Sequence, residues 1–230
     1  IDRPFLLMGY SSFHCDLEKA DQYVSELLTT QLAEEITYHN LEHTQLVRKN
    51  ANLIGRMKNL PKGELEIINL AALFHDTGFI NDYKAHEEES KKIAQAFLQE
   101  HQYPAEKTAQ VLACIDATKM GAIPTTDLAA VLKDGDLGSI GQEDFLVYTR
   151  RLRQEWKTVL NVELDDKTWY KREIEFYKSH YYFTPEARSL FGKQKDKNLK
   201  FLKKQLKKMK NKTKAEDKEG FSSVHSYYWP

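Results

Sequence analysis

The chain is poor in the features that define several protein classes. It has two cysteines, Cys15 and Cys114, in 230 residues. That excludes a disulfide framework and fits a reducing compartment. Neither cysteine stands in a CxxC pair, so a zinc knuckle and a dithiol redox site are also excluded, and Cys114, in an apolar run, reads as a small core residue. No apolar run approaches the length of a membrane span, and the N-terminus carries no signal-peptide pattern. The expectation is a cytoplasmic protein. Net charge is zero, with 34 basic and 34 acidic residues, so charge alone names no partner. There are only six prolines, and period-2 alternation is absent. Both argue against a sheet.

What is present is long 3.6-residue periodicity, which predicts an all-α fold. The pattern places helices over 16–35, 41–58, 64–76, 85–101, from Pro104 through Ile115, from Thr126 or Asp127 into the Asp134/Asp136 region, and over 143–160 and 167–179. Asp16 is read as the cap of the first and Gly78 as the stop of the third. Pro185 opens a last helix.

Charge is unevenly placed. Residues 193–214 hold 11 lysines against one acid, Asp196, which leaves 23 basic and 33 acidic residues elsewhere. Leu199, Leu202, Leu206 and Met209 form an apolar stripe through this tract. The stripe reads as a helix packed on the domain, with its lysines in water. Contact with an anionic surface, a nucleic acid or an acidic partner is the functional alternative. Past Lys210 the expectation is a flexible tail. The chain thus divides into a domain over 1–192 and a basic helix with tail over 193–230.

Three stretches carry chemistry. Leu73-Phe74-His75-Asp76-Thr77-Gly78 ends an apolar helix pattern on two polar side chains that need partners if buried. Tyr38-His39-Asn40-Leu41-Glu42-His43 adds two histidines, and Lys133-Asp134-Gly135-Asp136-Leu137 adds two carboxylates. Residues two apart do not easily share a helical face, so one of Asp134 and Asp136 is expected at the site. We expect the three stretches to converge on one divalent metal. Imidazole with carboxylate suits manganese, iron, nickel, cobalt or zinc better than calcium.

These residues resemble the H…HD…D signature of the HD superfamily of metal-dependent phosphohydrolases, over roughly residues 20–190. The first stretch is similar to the Tyr-His-Asn-x-x-His motif of cyclic-nucleotide phosphodiesterases. Their His-Asp-x-x-His is not matched, because Thr77-Gly78-Phe79 follows Asp76. The run from Leu73 to Phe79 with His86-Glu87-x-x-Ser90 instead resembles stand-alone bacterial HD phosphohydrolases. The resemblance implies His43, His75, Asp76 and Asp136 as metal ligands, with Asp136 preferred to Asp134. It implies His39 as the acid that protonates a leaving oxygen and Asp76 as orienting a metal-activated water. The ion would be Mn, Fe, Ni, Co, Zn or Mg. The implied activity is hydrolysis of a phosphomonoester or phosphodiester in a nucleotide or nucleotide-derived signal. The alternative is a metal-binding HD regulatory or scaffold module with little turnover.

His86 and Glu87 are candidates for a second metal or a phosphate contact, or His86 caps its helix. Lys119 and Arg188 are candidate substrate-binding residues, Lys119 for its place at a helix end and Arg188 through the resemblance. Arg150, Arg151, Arg153 and Lys157 read as surface charges, one of which could clamp an anion. His14, His101, His180 and His225 fit no metal spacing and read as ordinary histidines.

Overall fold

The computed structural model describes the backbone of residues 17–224 and side chains as far as residue 211. Asp16, Cys15, His14 and His225 lie outside the described residues. Within them the chain is all-α, with nine α-helices and no strand. They are α1 (Leu17–Gln31), α2 (Leu41–Met57), α3 (Lys62–Phe74), α4 (His86–Glu100), α5 (Ala105–Thr118), α6 (Asp127–Asp136), α7 (Phe145–Val159), α8 (Asp166–Ser179) and α9 (Pro185–Val224). Short 3-10 segments, Thr77–Ile80 and Leu137–Gly141, follow α3 and α6. No described helix is long and apolar enough to cross a membrane.

Helix α3 is the centre. Its residues 66–74 are all buried, and α1, α2, α4, α5 and α6 pack around it. Ile68, Leu70, Ala71, Ala72, Leu73 and Phe74 are fully buried. Each large aliphatic or aromatic side chain buried there contributes about 1.5–3 kcal/mol of transfer free energy. A helix apolar on every side can only be stable when surrounded, which is why the polar pair His75-Asp76 at its C-terminus is carried into the interior. Cys114 lies in the same core, and burial pushes its thiol up to about 12, so it is unreactive at neutral pH.

Two glycines set close approaches. Gly135 in α6 lies against Ala51 of α2, where a Cβ would come within 2.9 Å of the Ala51 nitrogen. Asn50 completes that contact by donating Nδ2–H to the Gly135 carbonyl at 3.1 Å. Gly78 does not act as a left-handed helix stop, since its φ is not positive. It is required by space. A Cβ there would lie 2.0 Å from the His86 carbonyl oxygen and 2.6 Å from the Ser90 nitrogen. The Gly78 N–H donates to the buried Ser90 hydroxyl at 2.8 Å, pinning α4 against the turn after α3.

Helix α9 departs from the expected boundary. It runs without a break from Pro185 through residue 192 to Val224, and Leu202 is fully buried in the main core. The segment past Lys210, expected to be flexible, is helical in its backbone. Lysine, glutamate and alanine are good helix formers and no proline interrupts them. Truncation of the buried stripe tests whether this helix belongs to the domain. Leu202→Ala should lower the unfolding free energy of the whole protein by about 2–5 kcal/mol in urea titration. A two-step transition with an unchanged main step would show that α9 folds apart from the rest.

Candidate metal centre

The first histidine stretch is shaped by its asparagine. Asn40 is the N-cap of α2: its Oδ1 accepts from the His43 N–H at 3.2 Å, and its Nδ2 donates to the Thr37 carbonyl at 2.9 Å. This puts His43 in the first turn of α2 and His39 just outside it. The two rings therefore do not stack along a helix face but meet edge to face, 5.7 Å apart. Tyr38 packs against both, 4.7 Å from each ring.

His75 is the C-cap of α3 and Asp76 follows it into the 3-10 turn. That break from helical geometry turns both side chains to one side. His75 Nδ1 donates to the Ala72 carbonyl at 2.8 Å. A carbonyl can only accept, so Nδ1 carries a proton and Nε2 is the ring nitrogen turned to the centre. Such backbone anchoring is common for metal-bound histidines. Asp136 arrives at the end of α6.

His43, His75 and Asp136 each present an atom within 4.8 Å of the others, and Asp76 joins them. His43 Nε2 lies 3.2 Å from Asp136 Oδ1 and 3.3 Å from Asp76 Oδ2. His75 Nε2 lies 3.0 Å from Asp76 Oδ2 and 3.7 Å from Asp136 Oδ1. Despite these distances, His43 Nε2, His75 Nε2 and Asp76 Oδ2 are buried and make no hydrogen bond. Polar atoms that face one another around a common point, without donor–acceptor alignment, are the arrangement a cation satisfies. The donor set therefore fits a divalent ion. Its mix of imidazole and carboxylate suits a borderline metal.

The electrostatics agree. Burial would depress the His43 imidazole, but Asp136 and Asp76 beside it raise it to about 10. Burial would raise Asp76 and Asp136, yet the neighbouring His75 and His43 hold both carboxyls below their ordinary value, Asp76 well below. The pocket is thus organised to hold positive charge beside two ionised carboxylates.

Asp134 does different work. Its Oδ1 accepts from the Phe183 N–H at 2.9 Å. Its Oδ2 accepts from the Thr184 N–H and hydroxyl, both at 2.7 Å. Both oxygens are committed to the turn that starts α9. Lys119 pairs with Glu88 at 2.5 Å and Asp116 at 2.8 Å, and Arg188 donates to the carbonyls of Tyr182 and Phe183 at 2.8 and 3.1 Å. Arg151 pairs with Glu42, Arg153 with Asp166 and Lys157 with Glu163. His86 lies beside the centre, its Nε2 3.9 Å from Asp76 Oδ1 and 3.4 Å from Glu87 Oε1. Its Nδ1 donates to the Tyr83 carbonyl at 3.2 Å.

Two buried charged neighbours of the centre were not singled out in the sequence. Glu155 of α7 is fully buried and receives the backbone N–H groups of Tyr38 and His39 at 2.7 and 3.1 Å. It also receives His39 Nδ1 at 2.5 Å and the Tyr83 hydroxyl at 2.8 Å. Burial works against its charge, but His39 and these donors hold its carboxyl below the ordinary value. The only available signal was weak: Glu155 is the one acid in the Arg- and Lys-rich α7. Lys133, three residues before Asp136, is 6% exposed and donates to the Ala117 and Lys119 carbonyls, each at 2.8 Å. Burial lowers its pKa, and Asp136 and Glu87 act against that. His180 is held neutral, as burial with Lys195 and Lys133 nearby pushes it down to about 4.

An all-helical bundle with a buried His/His/Asp group that could hold a metal is compatible with an HD-type fold. In fold the chain is similar to the crystal structure of the Lin1889 protein from Listeria innocua, with a TM-score of 0.59 and 17% identity over 85% of this chain and 98% of that one. No family model and no curated protein matches the sequence.

The two aspartates separate site from scaffold. Asp136→Asn should abolish retention of manganese, nickel or zinc in a metal analysis. Asp134→Asn should keep the metal and lose about 1–3 kcal/mol of stability. The reverse pattern would assign the ligand to Asp134.

Proposed function

We propose that this protein is an HD-type, metal-dependent phosphohydrolase that cleaves a phosphomonoester or phosphodiester in a nucleotide or nucleotide-derived signal. The observation that carries the reading is the pairing of two features. A donor set with unsatisfied buried atoms lies next to a histidine that a buried glutamate holds. A divalent ion in that set supplies a nucleophilic water near neutral pH and polarises a phosphoryl oxygen.

The chain's own groups supply the rest. Glu155 accepts the Nδ1 proton of His39, which fixes the tautomer and leaves Nε2 to meet a substrate oxygen. His39 Nε2 is then the atom from which a proton passes to the departing oxygen. Phe79 stacks on His39 at 4.3 Å between centroids, which restricts the ring to one plane. Asp76 turns Oδ2 toward His43 and His75 and Oδ1 toward His86. On this reading His86 and Glu87 are the candidates for a second cation beside Asp76 or for a substrate phosphate. Metal stoichiometry of the parent against His86→Ala distinguishes these roles. The similarity to the Listeria fold supports the architecture and says nothing of the reaction.

The test is a panel of nucleotides and signalling nucleotides with metal-stripped protein reloaded with manganese, nickel, cobalt, iron, zinc or magnesium. At least one pairing should turn over. His39→Gln should then lower kcat by about 10²–10⁴-fold with metal content intact. Asp76→Ala should lose both metal and activity. Bound metal with no turnover of any phosphate ester would favour the regulatory-module reading, and Asp76→Ala with both properties intact would place the site elsewhere.

A further inference from the structure

Far from any of the metal-centre residues in sequence, α8 and α9 enclose an open groove of about 390 Å³. Lys171 and Lys178 of α8 and Lys203, Lys207 and Lys210 of α9 line it, with Glu175, Ile174 and Leu206. All five lysines are exposed. Glu175 is drawn to Lys178 at 2.8 Å, so the groove keeps a strong positive excess. Residues 171 and 178, like 203 and 210, are seven apart. At 1.5 Å per residue, each row of ammonium groups is about 10 Å long.

We propose that this groove binds the phosphate backbone of a nucleic acid, without regard to sequence. Three observations favour that occupant. First, the apolar stripe of α9 is already used. Leu202 is fully buried, and Leu199 and Leu206 pack against the core, so the leucine stripe of the described part of the helix is taken up within the domain rather than offered to a bilayer. Second, the cations lining the groove are all lysines. Their ammonium groups are mobile point charges that can follow a run of phosphates. Third, the site is a channel between two helices, which receives a linear polyanion more readily than a flat surface. The acidic excess elsewhere, 33 acidic against 23 basic residues outside 193–214, repels a polyanion from the rest of the molecule and directs it to this end. Among the described residues no aromatic ring lines the groove, so base stacking and base preference are not expected.

The experiment is fluorescence anisotropy of the full chain with a labelled oligo-dT and a labelled duplex, each about 20 nucleotides long, at 50 and 200 mM salt. Three to four neutralised phosphates predict an affinity loss of about 20- to 50-fold on the single strand between the two salts. Lys171→Glu with Lys207→Glu should weaken binding at least tenfold. Lys204→Glu with Lys208→Glu changes net charge equally but lies outside the groove, and should weaken it less than threefold. Circular dichroism checks that both variants fold. Three results would overturn the proposal: no binding at 50 mM salt, equal losses in the two double variants, or binding to phosphatidylserine vesicles without binding to either oligonucleotide. None of these readouts depends on the metal centre, so the groove and the hydrolase reading stand or fall separately.

Discussion

Two carboxylates and two imidazoles share one buried place in this protein, and the rest of the bundle is arranged around the cost of keeping them there. Unpaired buried charge costs several kcal/mol, so such a group persists only where opposite charges are close and the geometry is held rigidly. Here the holding is done by helix ends. His43 begins α2, His75 ends α3, Asp76 starts the following turn and Asp136 ends α6. Each side chain is thus fixed by capping and termination rather than by its position along a helical face. The tight contacts through Gly135 and Gly78 bring those ends together, and in both places a single methyl group would push them apart.

Around that centre the polar groups divide into two kinds. Those of the centre carry atoms with no hydrogen-bond partner, and those of the wall are fully engaged. Asp134 and Lys133 belong to the wall. Both lie within three residues of Asp136, yet one anchors the entry to α9 and the other the exit of α5. Glu155 is intermediate. It is a structural staple between α7 and the 37–39 turn, and it also accepts from the His39 ring. An electrostatic unit of Glu155, His39 and Tyr83 therefore abuts the metal-type donors, with Phe79 and His86 stacked beside it.

The charge pattern gives α9 two faces with different purposes. Its leucine side completes the core, as the apolar stripe through the lysine tract implied, although the composition shifts near residue 193. Its lysine side meets α8 to make a groove. The shift in composition marks a change of exposed surface, while the buried face continues the same hydrophobic pattern. Composition averages over both faces and so does not locate the boundary.

The sequence by itself determined the helical class, because 3.6-residue periodicity is a local property written into every segment. It also marked the three stretches that meet at the centre, since 39–43, 75–76 and 134–136 each stand at a helix end that can be read without neighbours, while the set of His43, His75, Asp76 and Asp136 came from the family resemblance. It named Asp136 over Asp134 only through resemblance. The reason appeared in three dimensions, where both Asp134 oxygens are taken by residues 183–184. Tertiary structure alone decided the partnership of Glu155 with His39, 116 residues apart, and the diversion of Lys119 and Arg188 to contacts within the scaffold. The physical difference is range. Caps, periodicity and helix stops act within a few residues, whereas the pairing of a buried charge is settled by whichever distant chain segment packing brings to it.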